Sequence, residues 1–176
     1  MRKLANEELD RKSVDEFKEA DKIPVSIFLD NVRSLNNVGS AFRTSDAFLI
    51  EKIYLGGITG TPPHREIQKT ALGATESVAW EHVPESLTFL KELQAKGYTI
   101  ISIEQAENST SLLDFTPDKN QKYCLFFGNE VFGVEQEIVS ASDVVIEIPQ
   151  FGTKHSLNIS VSLGVVIWEF YKSLKG

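Results

Sequence analysis

Apolar and polar positions along this chain fall into blocks that alternate between strand-like and helix-like lengths. IPVSIFLD (23–30) is a short apolar run ending in a charge, which predicts a buried strand. Residues 37–48, with Ala41, Phe42, Ala47 and Phe48 on one side, predict an amphipathic helix. KIYLGG (52–57) predicts a strand ending in glycines, HREIQKTAL (64–72) a helix and ESVAWEHV (76–83) a weak strand. PESLTFLKELQAKG (84–97) predicts a helix, with Pro84 near its start and Gly97 at its stop. YTIISIE (98–104), KYCLFFG (122–128) and VVIEIP (144–149) predict strands, and VEQEIVSAS (134–142) a short helix. SLNISVSLGVVIWEFYKSLK (156–175) predicts a long apolar closing helix.

Strands alternating with helices argue an α/β fold, a mostly parallel sheet flanked by helices. Residues 1–22 are charged and weakly amphipathic, the pattern of a helical extension lying on the surface of one domain over 23–176. At 176 residues, 41% hydrophobic and 24% charged, the chain fits one globular domain with a sizeable core.

Composition excludes some chemistry. The single cysteine, Cys124, rules out an internal disulfide framework and fits a reducing cytoplasm. No apolar run approaches the roughly 20 residues that span a bilayer, and the first 22 residues lack the apolar core of a secretory leader. His64, His82 and His155 are scattered without metal-ligand spacing, so no metal is expected. The net charge of −7 argues against a bulk basic footprint for nucleic acid. Arg33, Arg43, His64, Arg65, Lys69, Lys154 and His155 nevertheless stand in or beside the polar loops, a local set of cations.

Three strands run at once into small and polar residues: SIFLD into NVRSLNNVGSAFR, CLFFG into NEVFG, and VVIEIP into QFGTKHSLN. In open parallel sheets, ligands bind beyond the carboxyl ends of strands, so these loops are expected to converge on one site. Gly128-x-Glu130-x-x-Gly133 offers either close backbone approach to a ligand or an acid at a helix N-terminus. Ser156 reads as the N-cap of the last helix. Asn158 then falls within its first turn, where a poor helix former orients a loop or a ligand. Arg43 either pairs with Asp46 three residues on or serves a ligand reaching the helix start past Asn37-x-Gly39. The chain lacks G-x-G-x-x-G after its first strand, G-x-x-x-x-G-K-[ST] and G-x-S-x-G.

Taken in order, the segments Asn37-Val38-Gly39-Ser40-Ala41-Phe42-Arg43-Thr44, Gly128-Asn129-Glu130-Val131-Phe132-Gly133, and Ile148-Pro149 with Ser156-Leu157-Asn158-Ile159-Ser160 resemble three family motifs. They are those of the SpoU family, the TrmH-like branch of the SPOUT RNA methyltransferases. The resemblance covers about residues 24 to 172. It implies S-adenosylmethionine as methyl donor, a ribose 2′-hydroxyl of RNA as acceptor, a C-terminal deep trefoil knot, and a homodimer with each site completed near the partner subunit. It implies a cofactor pocket built by Ile103, Gly128, Ile148, Ser156 and Leu157. Arg43 would be catalytic, with Asn37, Glu130 and Asn158 shaping the site. The short chain favours tRNA as substrate; ribosomal RNA, or a non-catalytic RNA-binding relative, is the alternative.

Overall fold

The computed structural model describes residues 1–175. The N-terminal stretch holds a single 3-10 turn at Asn6–Glu8 and one short helix, α1 (Val14–Glu19), less than the helix expected over 1–22. Ser13 and Glu16 cap α1 reciprocally: Ser13 Oγ accepts from the Glu16 amide at 3.2 Å, and Glu16 accepts from the Ser13 amide at 2.6 Å.

From there β1 (Ile23–Asp30), α2 (Leu35–Ala47), β2 (Ile50–Gly56), α3 (Arg65–Ala71), α4 (Ala74–Ser77) and β3 (Trp80–Val83) follow. The second half comprises α5 (Ser86–Ala95), β4 (Tyr98–Ile103), β5 (Thr110–Ser111), β6 (Lys122–Phe127), α6 (Gln136–Ala141), β7 (Val144–Glu147) and α7 (Ile159–Lys175). The sheet order is β3-β2-β1-β6-β4-β7-β5, and every pairing is parallel. This is the flanked parallel sheet that the alternation predicts.

Two elements depart from the expectation. The weak strand over 76–83 begins as α4, because Leu72 and Gly73 turn left-handed at φ 50° and 89° and Ser77 donates its hydroxyl to Asp46 on α2. Only Trp80–Val83 then pairs with β2. β5 is two residues inside an unassigned stretch and exists through its pairing with β7.

The strands at the centre are buried on both faces. Val25, Ile27 and Leu29 of β1 join Tyr123, Leu125 and Phe127 of β6 in one core layer with residues of α2 and α7. Phe28 and Phe126 point the other way, beneath α5 and α6, and their rings stack with centroids 4.2 Å apart. A continuous apolar run such as IPVSIFLD is what burial on both faces requires. The polar ends of β1, β4, β6 and β7 then have one place to go, the carboxyl edge of the sheet.

Candidate active site

Four loops meet at that edge: 31–34 after β1, 104–109 after β4, 128–135 after β6 and 148–158 after β7. The last three of these loops line a cavity of about 570 Å³. Ile103, Gly128, Ile148, Ser156 and Leu157 all line it, together with Glu130 and Asn158. So do Glu104, Gln105, Asn129, Phe132, Gln150 and His155, none of which is among the expected site residues. The signal for Glu104 and Gln105 was present: YTIISIE is a fourth strand whose end runs into polar residues.

The glycines bring chain against chain. A Cβ on Gly128 would stand 2.1 Å from the Gly133 carbonyl carbon and 2.2 Å from the Val134 nitrogen, so the loop closes only over a glycine. Gly133, at φ +71°, lies against Glu104, whose Oε2 would be 2.1 Å from an added Cβ. That carboxylate accepts from the Val134 amide at 2.9 Å and the Gln105 amide at 2.8 Å. Gln105 in turn donates to the His155 carbonyl at 2.7 Å, tying the loop after β4 to the loop after β7.

Glu130 joins the other two loops. Its carboxylate accepts from the amides of Arg33 and Ser34, both at 2.9 Å, and from the Asn37 side chain at 3.2 Å. Partial burial pushes this carboxyl up. The two backbone amides and the Asn37 amide outweigh that and hold it below the usual glutamate range. Asn158 extends the chain by donating to Asn37 Oδ1 at 3.4 Å. Glu130, Asn37 and Asn158 are thus brought together from three separate motifs.

Asn158 is exposed and stands just before the helix, not within its first turn. It is the cap of α7: its Oδ1 accepts from the Ser160 amide at 2.8 Å, and its carbonyl from Val161 and Ser162. Ser156, expected to cap, precedes the helix and faces the cavity instead. Asparagine and serine cap about equally well, so the register is decided by where the chain leaves the cavity.

Arg43 stands apart. Along α2 it lies six residues beyond Asn37, about 9 Å further and turned roughly 120° away. It is exposed and lines a second groove with residues 10–14 of the N-terminal segment and the α3–α4 turn, not the cavity. Asp46 bonds Ser77 rather than Arg43, and Arg43 has no ion pair among the described residues. Gly39 does not hold an approach open for a ligand. It is buried against α3, where an added Cβ would lie 2.1 Å from Thr70 Oγ1 and 2.3 Å from the Ile67 carbonyl oxygen.

The cations divide similarly. Arg33, Lys154 and His155 are exposed on the loops around the cavity, whereas Lys69 is paired with Glu66 at 3.4 Å. His64 Nδ1 accepts from the Glu66 amide as the cap of α3. No cluster of three metal-binding side chains occurs among the described residues, and none of their helices is long and apolar enough to cross a membrane.

The SpoU rRNA Methylase family model matches residues 24–168. The chain belongs to the SpoU family. It is 30% identical to the 23S rRNA (guanosine-2′-O-)-methyltransferase of Neisseria meningitidis, over 83% of this chain and 57% of that protein. It is also 30% identical to the tRNA (guanosine(18)-2′-O)-methyltransferase of Aquifex aeolicus, over 81% of this chain and 66% of the relative. The chain therefore spans under two thirds of the length of either. An AdoMet-bound rRNA methyltransferase from Sinorhizobium meliloti superposes with a TM-score of 0.79 at 25% identity, covering 93% of this chain and 62% of that one. The seven-stranded parallel sheet is the SpoU fold.

The cavity suits the cofactor of the SpoU family. Ile103, Phe127, Ile148, Leu157 and Ile159 offer apolar walls to a flat base, and Glu104, Gln105, Gln150 and Ser156 offer polar ones to hydroxyls and an amino-acid end. Glu104 and Glu130 put acidic side chains on its wall, which suits a ligand with a cationic sulfonium.

Proposed function

We propose that this chain is an S-adenosylmethionine-dependent methyltransferase acting on a ribose 2′-hydroxyl of RNA, with tRNA as substrate, in the cytoplasm. One observation carries the reading. A single cavity is lined by all five expected cofactor positions and by Glu130 and Asn158, which Asn37 bridges from α2. The larger share matched of the Aquifex relative, which by its name modifies tRNA, supports that substrate over ribosomal RNA. Residues 23–176 are the methyltransferase domain and 1–22 its extension, with the C-terminal segment threaded as the family's trefoil knot.

Bound in the cavity, S-adenosylmethionine would supply a methyl group on a cationic sulfonium. Backbone groups around Ile103, Gly128, Ile148 and Leu157, with Ser156, would hold it. Glu130 stays ionised and fixes the loop after β1, and through Asn37 it sets the amide of Asn158 at the rim, where the ribose is oriented. Arg43 acts by charge and hydrogen bonding. A guanidinium does not give up its proton in proteins, so it would stabilise the negative charge developing on the ribose oxygen as the O–CH3 bond forms and the S–CH3 bond breaks, the hydroxyl proton passing to water.

Arg43 cannot do this from its own groove, so the site is completed by a second copy. α7 exposes Val161, Val165 and Trp168 along one face, 51%, 40% and 52% accessible, an apolar stripe at helical spacing suited to a homodimer. α7 packs beside α2, and an interface here would bring Arg43 toward the partner's cavity.

Methyl transfer from labelled S-adenosylmethionine to unmodified tRNA and ribosomal RNA, followed by digestion to nucleosides, tests the reading. A 2′-O-methylated nucleoside from tRNA, lost with Arg43→Ala, is expected. Cofactor binding without transfer to either RNA would instead mark a non-catalytic relative.

A further inference from the structure

Among the described residues, the large aromatic side chains standing in water are Phe132, Phe151 and Trp168. Trp168 belongs to the α7 stripe. Of the other two, Phe132, 83% exposed, lines the cavity, and Phe151, 93% exposed, follows the lining residue Gln150 without lining the cavity itself. Burial against the protein does not account for either ring.

The turn that carries Phe132 is fixed. Asn129 Oδ1 accepts from both the Val131 amide at 2.8 Å and the Phe132 amide at 3.2 Å. Asn129 Nδ2 donates to the Asn31 carbonyl at 2.8 Å, and Asn129 and Gly133 exchange two backbone hydrogen bonds at 2.9 Å. Glu130, between them, is anchored to the loop after β1. An apolar ring is therefore held out at the mouth of the cavity on a tied turn, where only a bound partner takes it out of water.

The partner chemistry follows from the position. A ribose brought to Asn158 carries its base and its neighbours' bases past the rim, and every base has a flat face that stacks on phenylalanine. A protein of net charge −7 also draws less on long-range attraction for RNA, so stacking, which depends little on salt, counts for more. We propose that Phe132 is a stacking platform for a base adjoining the acceptor ribose. The proposal rests on the methyltransferase reading above.

The test compares Phe132→Ala and Phe132→Trp with the parent protein, using unmodified tRNA transcripts. Phe132→Ala is expected to raise KM for RNA about tenfold, equally at low and high salt, with S-adenosylmethionine affinity and oligomeric state unchanged. Phe132→Trp is expected to restore KM and to show fluorescence quenching by tRNA beyond that of the parent. An unchanged KM in Phe132→Ala overturns the proposal. A loss of cofactor affinity alone, or of the dimer alone, overturns it too, by making the ring a cofactor or subunit contact. If the parent protein methylates no RNA, the methyltransferase reading itself has failed, a result distinct from the others.

Discussion

The side-chain amide of Asn37 reaches the carboxylate of Glu130 at 3.2 Å, joining residues 93 apart in the chain. The same carboxylate also takes the amides of Arg33 and Ser34, so it holds the α2 start against the loop after β6.

Removing it leaves those amides short of a partner, a loss of about 1–3 kcal/mol. Glu130→Ala is expected to lower the thermal midpoint and reduce methyl transfer. The pH dependence has a definite sign. The folded carboxyl titrates below its unfolded value, so its contribution is present above the ordinary glutamate range and is lost as pH falls through the lower, folded value. Thermal melts from pH 7 to pH 3 are expected to show a steeper acid loss in the wild type than in Glu130→Gln. Parallel curves would show that the carboxylate's charge contributes nothing to stability.

Asp30 has the opposite sign. It is 1% exposed at the end of β1, and burial pushes its carboxyl up despite the Ser86 hydroxyl donated to it at 2.5 Å; Glu135 and Glu137 push it further. A carboxyl that titrates higher when folded favours the native state at pH below its unfolded value, and this is lost as pH rises through the folded one. Asp30→Asn keeps an acceptor for Ser86 and removes the buried charge. It is expected to gain about 1 kcal/mol near neutral pH, a rise of about 3 °C in Tm, and to gain nothing at pH 3. Equal gains at both values would refute the electrostatic account.

Gly39 is a packing position between helices. The Cβ of Gly39→Ala would meet the Ile67 carbonyl at 2.3 Å, and backbone cannot swing aside as a side chain can. α2 and α3 must separate, at a cost of about 2 kcal/mol. Urea titration is expected to show a lower midpoint with an unchanged slope. A neutral substitution would mean that the contact relaxes freely.

What the sequence made legible, and what it did not, divides along lines of range. Gly128, Glu130 and the apolar strands are local signals, and the cavity formed where strand ends imply it. Gly39 read as an opening because its neighbour, Ile67, lies in a helix nearly thirty residues later. Ser156 and Asn158 both suit a cap, and only the path of the chain past the cavity chooses between them. β5 is too short to carry a period of its own. Arg43 could be placed on α2, but the side of the domain it faces is set by how α2 seats against α3 and α7.

That facing makes the catalytic arrangement testable. If Arg43 serves the partner's cavity, a mixed dimer of one Arg43→Ala subunit and one Asn158→Ala subunit contains one complete site: the intact cavity of the first with the arginine of the second. Each variant alone is expected to be nearly inactive while still folding, since Arg43 has no ion pair to lose among the described residues and losing the Asn158 cap costs only about 1 kcal/mol. Denaturing and refolding the two together in equal amounts is expected to restore about a quarter of wild-type transfer, half the dimers being mixed with one working site of two. Arg43→Lys is expected to recover only part of the activity, because a point charge lacks the fork of a guanidinium. No recovery on mixing, with heterodimers verified by mass, would place Arg43 at its own subunit's cavity and require α2 to shift when RNA binds.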